Sequence, residues 1–339
     1  MSPFMLRITA FLFRIGQSIT TLCDLYLSRP LPQRVSFTLS IPSSVGSVPG
    51  SFDLLFYAPS SYKGRYGTKS RARPSSPPLT DKHPVLINFH GGGFSIGHAR
   101  DDARWATAVI KQTSAVVVSV NYRLAPEYPF PVGIEDCVSA VLWIWLHADE
   151  FNLDISRTTF SGFSAGGNFT YAVAIRLHEE LDRIMSQRKL EAFTVGKLIG
   201  LVAFYGSTDW TQSRAERDAS NPHLIPVIPP ALFKFFDESY LYPSPDMNSP
   251  LLSPGKAPNQ LLRDALPDQL VMINCAGDQL LAEALRFKTR LQSLGKRVDG
   301  YTVAGVGHAW DKRPSFFNGN VKRDEAYGLA IASLRAFWA

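Results

Sequence analysis

Ser164 stands in the segment Ser161-Gly162-Phe163-Ser164-Ala165-Gly166-Gly167, a Gly-x-Ser-x-Gly pattern. Small residues on both sides of a serine permit a sharp strand-to-helix turn and a strained serine backbone. Such a turn raises the hydroxyl clear of a sheet, with a helix N-terminus behind it. A hydroxyl placed this way becomes a nucleophile only with a base to take its proton, an acid to orient the base, and donors for the oxyanion that attack creates.

After Ser164 the histidines are His178, His223 and His308. His178 falls in the helical stretch that follows the turn, and His223 in a proline-rich region. His308 follows the strand-like Tyr301-Thr302-Val303 within a glycine-rich loop, where a ring can swing over the serine. Two carboxylates follow apolar strand-like runs: Asp278 after Leu270 to Gly277, and Asp209 after Leu201 to Thr208. Asp278 precedes the final strand and its histidine, so it is the favoured acid, and Asp209 reads as an N-cap or a loop-stabilising carboxylate. The N–H of Ala165 is one candidate oxyanion donor. Others lie in His90-Gly91-Gly92-Gly93-Phe94, where three glycines let the backbone turn its N–H groups inward. That loop lacks the Gly-Lys-Ser/Thr of a phosphate loop and the spacing of a dinucleotide fingerprint.

The elements that must position these residues are legible as alternating runs. Strands are expected at Phe52–Tyr57, Val85–Phe89, Ala115–Val120, Thr158–Phe160, Leu198–Tyr205, Gln269–Cys275 and Val298–Val303. Helical patterns lie between most of them, at Asp101–Gln112, Gly133–His147, Asn168–Ile184 and Ala282–Leu294, with Arg323–Trp338 last. The alternation predicts an α/β fold, a mostly parallel sheet with helices on both faces. Residues 1–50 read as an N-terminal cap helix and linker. Residues 51–339 read as the catalytic domain, with a second cap segment near 211–267 that contains one helix, Pro230–Tyr240. Phe233, Phe235, Phe236, Tyr240 and Trp310 are aromatic candidates for the cap or for ordinary core.

Composition bounds the partners. The chain has 339 residues, 45% of them hydrophobic, and a net charge of +6. Lysine and arginine are scattered apart from Lys63 to Arg73, a Ser/Pro/Gly-rich stretch that reads as a solvated loop, so no nucleic-acid partner is expected. Cys23, Cys137 and Cys275 have no metal spacing and cannot all pair within one chain, which fits a reducing, cytoplasmic setting. No metal or organic cofactor is implied. The apolar N-terminus is interrupted by Arg7 and Arg14, so its longest run is too short to cross a bilayer. It reads as a helix over the protein's own pocket, with weak membrane-surface contact or a signal or anchor segment as the alternatives. Either a monomer or a homodimer is compatible.

With these pieces in place the chain resembles the hormone-sensitive-lipase-like branch of the α/β-hydrolases. The resemblance rests on HGGGF at 90–94, NYRLAPEYPFP at 121–131 followed by Asp136, GFSAGGN at 162–168, DQLLAE at 278–283 and the His308 loop. It implies an α/β-hydrolase fold with a helical cap. It implies Ser164 as nucleophile, Asp278 as acid and His308 as base, with oxyanion donors from Gly92, Gly93 and Ala165 and with Gly91 shaping the loop. It implies a small-molecule ester as substrate. Glu127 and Asp136 match positions that tie down loops near the site. In the family the residue before the nucleophile is commonly acidic, whereas here it is Phe163, and Ala309 stands where glycine is common after the histidine. The mechanism so implied is hydrolysis of a hydrophobic, small-to-medium ester through an acyl-enzyme, with tailoring of a specialised metabolite in view. The same triad also serves acyl transfer, or a lyase or cyclase reaction. A non-catalytic receptor of this kind lacks the catalytic histidine, and His308 is present.

Overall fold

Val116, Val118 and Val120 point to one side of their strand and Val117 to the other, and all four are fully buried. Side chains alternate across a strand, so a run buried on both sides needs a packed layer on each face. Both layers are present in the computed structural model, which describes residues 1–62, 82–187, 195–316 and 319–339. The basic Lys63–Arg73 cluster lies outside these residues.

Among the described residues the strands are β1 (Phe37–Pro42), β2 (Ser51–Tyr57), β3 (His83–Phe89), β4 (Val116–Asn121), β5 (Leu153–Phe163), β6 (Leu198–Phe204), β7 (Gln269–Cys275) and β8 (Arg297–Val303). They form one sheet in the order β1-β2-β4-β3-β5-β6-β7-β8. β1–β2 and β2–β4 are antiparallel, and every other pairing is parallel. One face packs Val85, Ile87 and Phe89 of β3 against α3 (Val132–Leu146), α4 (Ala165–Ser186) and α8 (Leu281–Ser293). The other packs Leu86 and Val117 against α2 (Ala103–Gln112) and α9 (Val321–Trp338).

Each run expected to be a strand is one, and the short Thr158–Phe160 run is the middle of an 11-residue strand. The boundary expected at residue 50 is corrected. Phe37, Leu39 and Ile41 alternate along β1, which pairs with β2 from Phe37↔Phe56 to Pro42↔Ser51. These residues are sheet, not linker. The segment 211–267 carries three helices where one was expected: α5 (Arg214–Ala219), α6 (Pro230–Tyr240) and α7 (Asn259–Ala265). Its last third is not a cap, because Leu252, Ala257, Leu262 and Leu266 are buried in the main core.

α1 (Pro3–Leu27) lies over α6. Leu6 and Ala10 are buried against Ile96, Phe235 and Phe236, and the Phe13 ring meets Phe235 edge-on at 5.1 Å. Polar ties fix its pose: the N-terminal amine with Glu238, Arg14 with Glu127 at 2.7 Å, and Asp24 with Arg104 at 2.6 Å. No helix among the described residues is long and apolar enough to cross a membrane.

A buried ion pair fixes the loop after β4. The Arg123 guanidinium donates to both Asp136 oxygens, at 2.8 and 2.9 Å, and to the carbonyls of Val48 and Pro49. The Asp136 side chain is fully buried and that of Arg123 is 8% exposed. Removing one partner of such a pair leaves an uncompensated buried charge. Asp136→Ala is therefore expected to lower the unfolding free energy in urea by about 3–5 kcal/mol. A loss below about 1 kcal/mol would mean that the pair behaves like a surface contact.

Candidate active site

The parallel strands deliver the chemistry to one end of the sheet. Ser164 follows β5, Asp278 follows β7, His308 follows β8, and the glycine loop follows β3. Ligands of open α/β sheets bind outside the carboxyl ends of the strands for this reason.

Ser164 sits between β5 and α4 with φ 55° and ψ −114°. Its N–H donates to the Phe204 carbonyl at 2.9 Å, and its own carbonyl accepts from Asn168 at 3.0 Å. The turn closes tightly enough that a Cβ on Gly162 would collide with the Gly166 backbone. The Ser164 Oγ lies 2.7 Å from His308 Nε2. On the other side of the ring, His308 Nδ1 lies 2.6 Å from Asp278 Oδ2. The second Asp278 oxygen accepts from the Leu280 N–H at 3.1 Å. Asn221 braces the turn by donating to the carbonyls of Ala276 and Asp278. Asp278 is 2% exposed and His308 8% exposed. A buried carboxylate on Nδ1 keeps that nitrogen protonated and leaves Nε2 free to accept from the serine.

The other candidate residues have different surroundings. Asp209 accepts from the Thr211 hydroxyl at 2.5 Å and pairs with Lys256 at 3.3 Å. His178 faces Asp182 one turn along α4, and His223 is exposed.

Gly91, Gly92, Gly93 and Ala165 line the same cavity as Ser164 and His308. A Cβ on Gly91 would stand 2.9 Å from the Phe163 carbonyl oxygen and 3.4 Å from Ser164 Cβ, so only glycine lets this strand end approach Ser164. Gly92 and Gly93 have φ of 113° and 56°. Ala165 is the first residue of α4, where N–H groups have no partner within the helix. The cavity is about 230 Å³. Phe94, Ile96, Leu232, Phe233 and Phe236 supply its apolar wall, and Gln17 reaches it from α1. Of the other aromatic candidates, Phe235 is buried between α1 and α6, Tyr240 stacks on Phe94 at 3.9 Å, and Trp310 packs edge-on against Tyr205.

Phe163 is 1% exposed and stacks on Phe204 at 4.3 Å. The Lys312 ammonium lies 3.3 Å from the Phe163 ring centroid, a cation–π contact. That ammonium pairs with Asp102 at 2.6 Å and Asp311 at 3.4 Å. Burial alone would lower the Lys312 pKa, but the two carboxylates outweigh it and hold the pKa above the ordinary lysine value. Asp102 also accepts from Asn88, and Asp311 from the hydroxyls of Tyr205 and Tyr327. Sequence reading missed Lys312, Asp102 and Asp311. They are remote in the chain and match no motif. The one available signal was the position of Lys312, four residues after His308.

A second buried pair joins the cap segment to the site: Arg217 on α5 meets Glu283 on α8 at 3.0 Å. Glu283 also accepts from the Thr208 N–H at 2.6 Å.

The family model described as an alpha/beta hydrolase fold matches residues 86–312. Lipase 2 of Moraxella sp. is 30% identical over 246 residues, covering 68% of this chain and 55% of the lipase. Esterase LipI of Mycobacterium tuberculosis is 28% identical over 248 residues, covering 73% of this chain and 71% of the esterase. The chain spans less than two thirds of the length of several curated relatives that it matches. A crystal structure of a thermostable esterase from Pseudomonas putida superposes with a TM-score of 0.73 over 96% of this chain and 89% of that one, at 19% identity.

His90, at the start of the glycine loop, is fully buried and stacks on Tyr122 at 4.2 Å. Burial holds its pKa at about 4, although the Gly91 carbonyl 2.8 Å from Nδ1 favours the proton. An unfolded histidine titrates near 6.5. Between these values the unfolded chain binds a proton that folded His90 refuses, so stability falls as pH drops from about 6.5 towards 4. Urea midpoints measured at pH 7 and pH 4.5 should show a smaller fall for His90→Gln than for the wild type; equal falls would contradict this origin.

Proposed function

The chain belongs to the α/β-hydrolase fold family, in its hormone-sensitive-lipase-like branch, and from that membership we propose that it is a carboxylic ester hydrolase acting through Ser164. The observation that carries the reading is the unbroken line from Ser164 Oγ through His308 to Asp278, with contacts of 2.7 and 2.6 Å. His308 accepts the Ser164 proton as the oxygen attacks the ester carbonyl. The oxyanion is held by the N–H groups of Gly92, Gly93 and Ala165, and each such donor is worth about 2.7–4 kcal/mol of barrier. His308 then gives the proton to the leaving alcohol. Water, deprotonated by the same ring, cleaves the acyl-enzyme and restores Ser164. Asp278 stays ionised and stabilises the imidazolium.

The apolar wall of Phe94, Ile96, Leu232 and Phe236 favours a hydrophobic acyl group of small to medium size. Free thiols at Cys23, Cys137 and Cys275 support a reducing compartment, which we take to be the cytoplasm. Ser164→Ala should lower kcat for a chromogenic short-chain ester by about 10⁴-fold or more while leaving thermal unfolding near that of the wild type. Turnover retained in the variant would remove Ser164 from the mechanism.

The outward face of α1 supports a lipid surface as a further contact. Phe4, Phe11, Leu12, Ile19 and Tyr26 are each more than half exposed. Asp24, the helix's one carboxylate, is turned inward onto Arg104, and Arg7 remains exposed. An apolar face with a free cation suits an anionic membrane interface. Co-sedimentation with phosphatidylglycerol-containing vesicles should be strong for the wild type and weak for the double variant Phe11→Asp, Ile19→Asp. Absence of vesicle binding, with concentration-dependent dimerisation instead, would assign the face to a second copy.

A further inference from the structure

His308 borders two cavities. The first holds Ser164, the glycine loop and Ala165. The second, about 390 Å³, is lined by His308, Asp278, Gly277, Ile225, Val227 and Pro230 among others, and includes neither Ser164 nor any residue of the glycine loop. Five residues line both: Arg214, Ile228, Phe233, Gln279 and His308. Arg214 is held by Asp237 at 2.6 Å and lies over the Phe233 ring at 4.3 Å, so its charge is already partnered.

Gln279 is not partnered in that way. It is 6% exposed, and its Oε1 is buried with no hydrogen-bond partner. Its backbone belongs to the turn that holds Asp278, in which the Asp278 N–H donates to Cys275 and the Leu281 N–H to Asp278. The turn needs the backbone of residue 279 and makes no use of its side chain. A buried amide oxygen without a donor is destabilising, and the great majority of such atoms in folded proteins are satisfied. An unpaired amide on a residue that lines both cavities, beside the residue that moves the proton, is therefore placed to turn towards a ligand.

The chemistry says which half of the ligand. The carbonyl and acyl group must lie in the first cavity, where the glycine N–H groups and Ser164 are. The leaving oxygen must face His308 Nε2 to take its proton, and the second cavity is the space that His308 shares beyond the nucleophile. We infer that the alcohol half of the ester occupies the second cavity, and that the Gln279 amide turns its oxygen there to accept a hydrogen bond from a hydroxyl or N–H group close to the ester oxygen. The substrate class is thus an apolar acyl ester of an alcohol that carries a further donor. This rests on the ester-hydrolase reading above and adds the identity of the leaving group.

The test compares two butanoate esters with the same acyl group and the same three-carbon alcohol skeleton: the glycerol monoester, which carries neighbouring hydroxyls, and the n-propyl ester, which carries none. Acid release is titrated at constant pH for the wild type and for Gln279→Leu, with Gln279→Met as the second variant should leucine disturb folding. The wild type should favour the glycerol ester in kcat/KM. The ratio of the two kcat/KM values should fall about tenfold in the variants, since a site built around a hydrogen bond discriminates by that bond. A ratio that does not change would overturn the inference, because a merely structural glutamine affects both esters alike. A wild type that hydrolyses neither ester, and no other ester, overturns the hydrolase reading and this inference with it.

Discussion

Ser164 occupies φ 55°, ψ −114°, a backbone conformation that residues with a side chain seldom adopt. A conformation of this kind costs about 1–3 kcal/mol and persists only where its surroundings over-determine it. Here they do. β5 arrives buried on both faces, α4 departs with its first three residues buried, and the Ser164 N–H is tied to Phe204 on the neighbouring strand. The strain has a direct chemical return. It turns Oγ out of the sheet towards His308, and it leaves the N–H of Ala165 free at the start of a helix. Without that turn the Ser164 hydroxyl and the Ala165 N–H would not share a cavity.

The remaining parts reach the serine on separate loops, and the structure joins those loops beneath the cavity. Lys312, after the histidine, binds Asp102, which follows the glycine loop. Asp102 holds Asn88 on β3, and Asn88 accepts from Ser161 on β5. The loops that carry the glycine run, Ser164 and His308 are therefore cross-linked by charge-assisted and neutral hydrogen bonds in a buried setting, where such bonds are strongest. Phe163 belongs to this arrangement. An acidic residue at 163 would add a third carboxylate around the one ammonium of Lys312. An aromatic ring instead gives the ammonium a face to lie on and fills the space among Trp105, Phe204 and Tyr327.

The parts of the site legible from sequence were those whose chemistry constrains neighbouring residues. The Gly-x-Ser-x-Gly turn needs small flanks, the donor loop needs consecutive glycines, Asp278 follows an apolar strand, and His308 follows the strand-like Tyr301-Thr302-Val303 in a glycine-rich loop. The parallel core strands were legible because burial on both faces leaves almost no polar residue in a run such as Val116–Val120. β1 was not, because an edge strand is half exposed and alternates with Thr38 and Ser40 beside a long helix that dominates the reading. The ends of the cap segment were not, because Leu252 and Leu262 report burial but not which body buries them. The Lys312–Asp102 link and the open amide of Gln279 depend on residues more than a hundred positions apart, or on what is missing around an atom, and neither leaves a local pattern.

The central claim is that Ser164, His308 and Asp278 form one reactive unit. Its most direct measurement is intact-protein and peptide mass spectrometry after brief exposure to a fluorophosphonate, which reacts with serines activated in this way. The predicted result is a single adduct per chain on the peptide containing Ser164, formed far more slowly in His308→Ala. A folded wild-type protein that acquires no adduct, or acquires one on a different residue, would contradict the account.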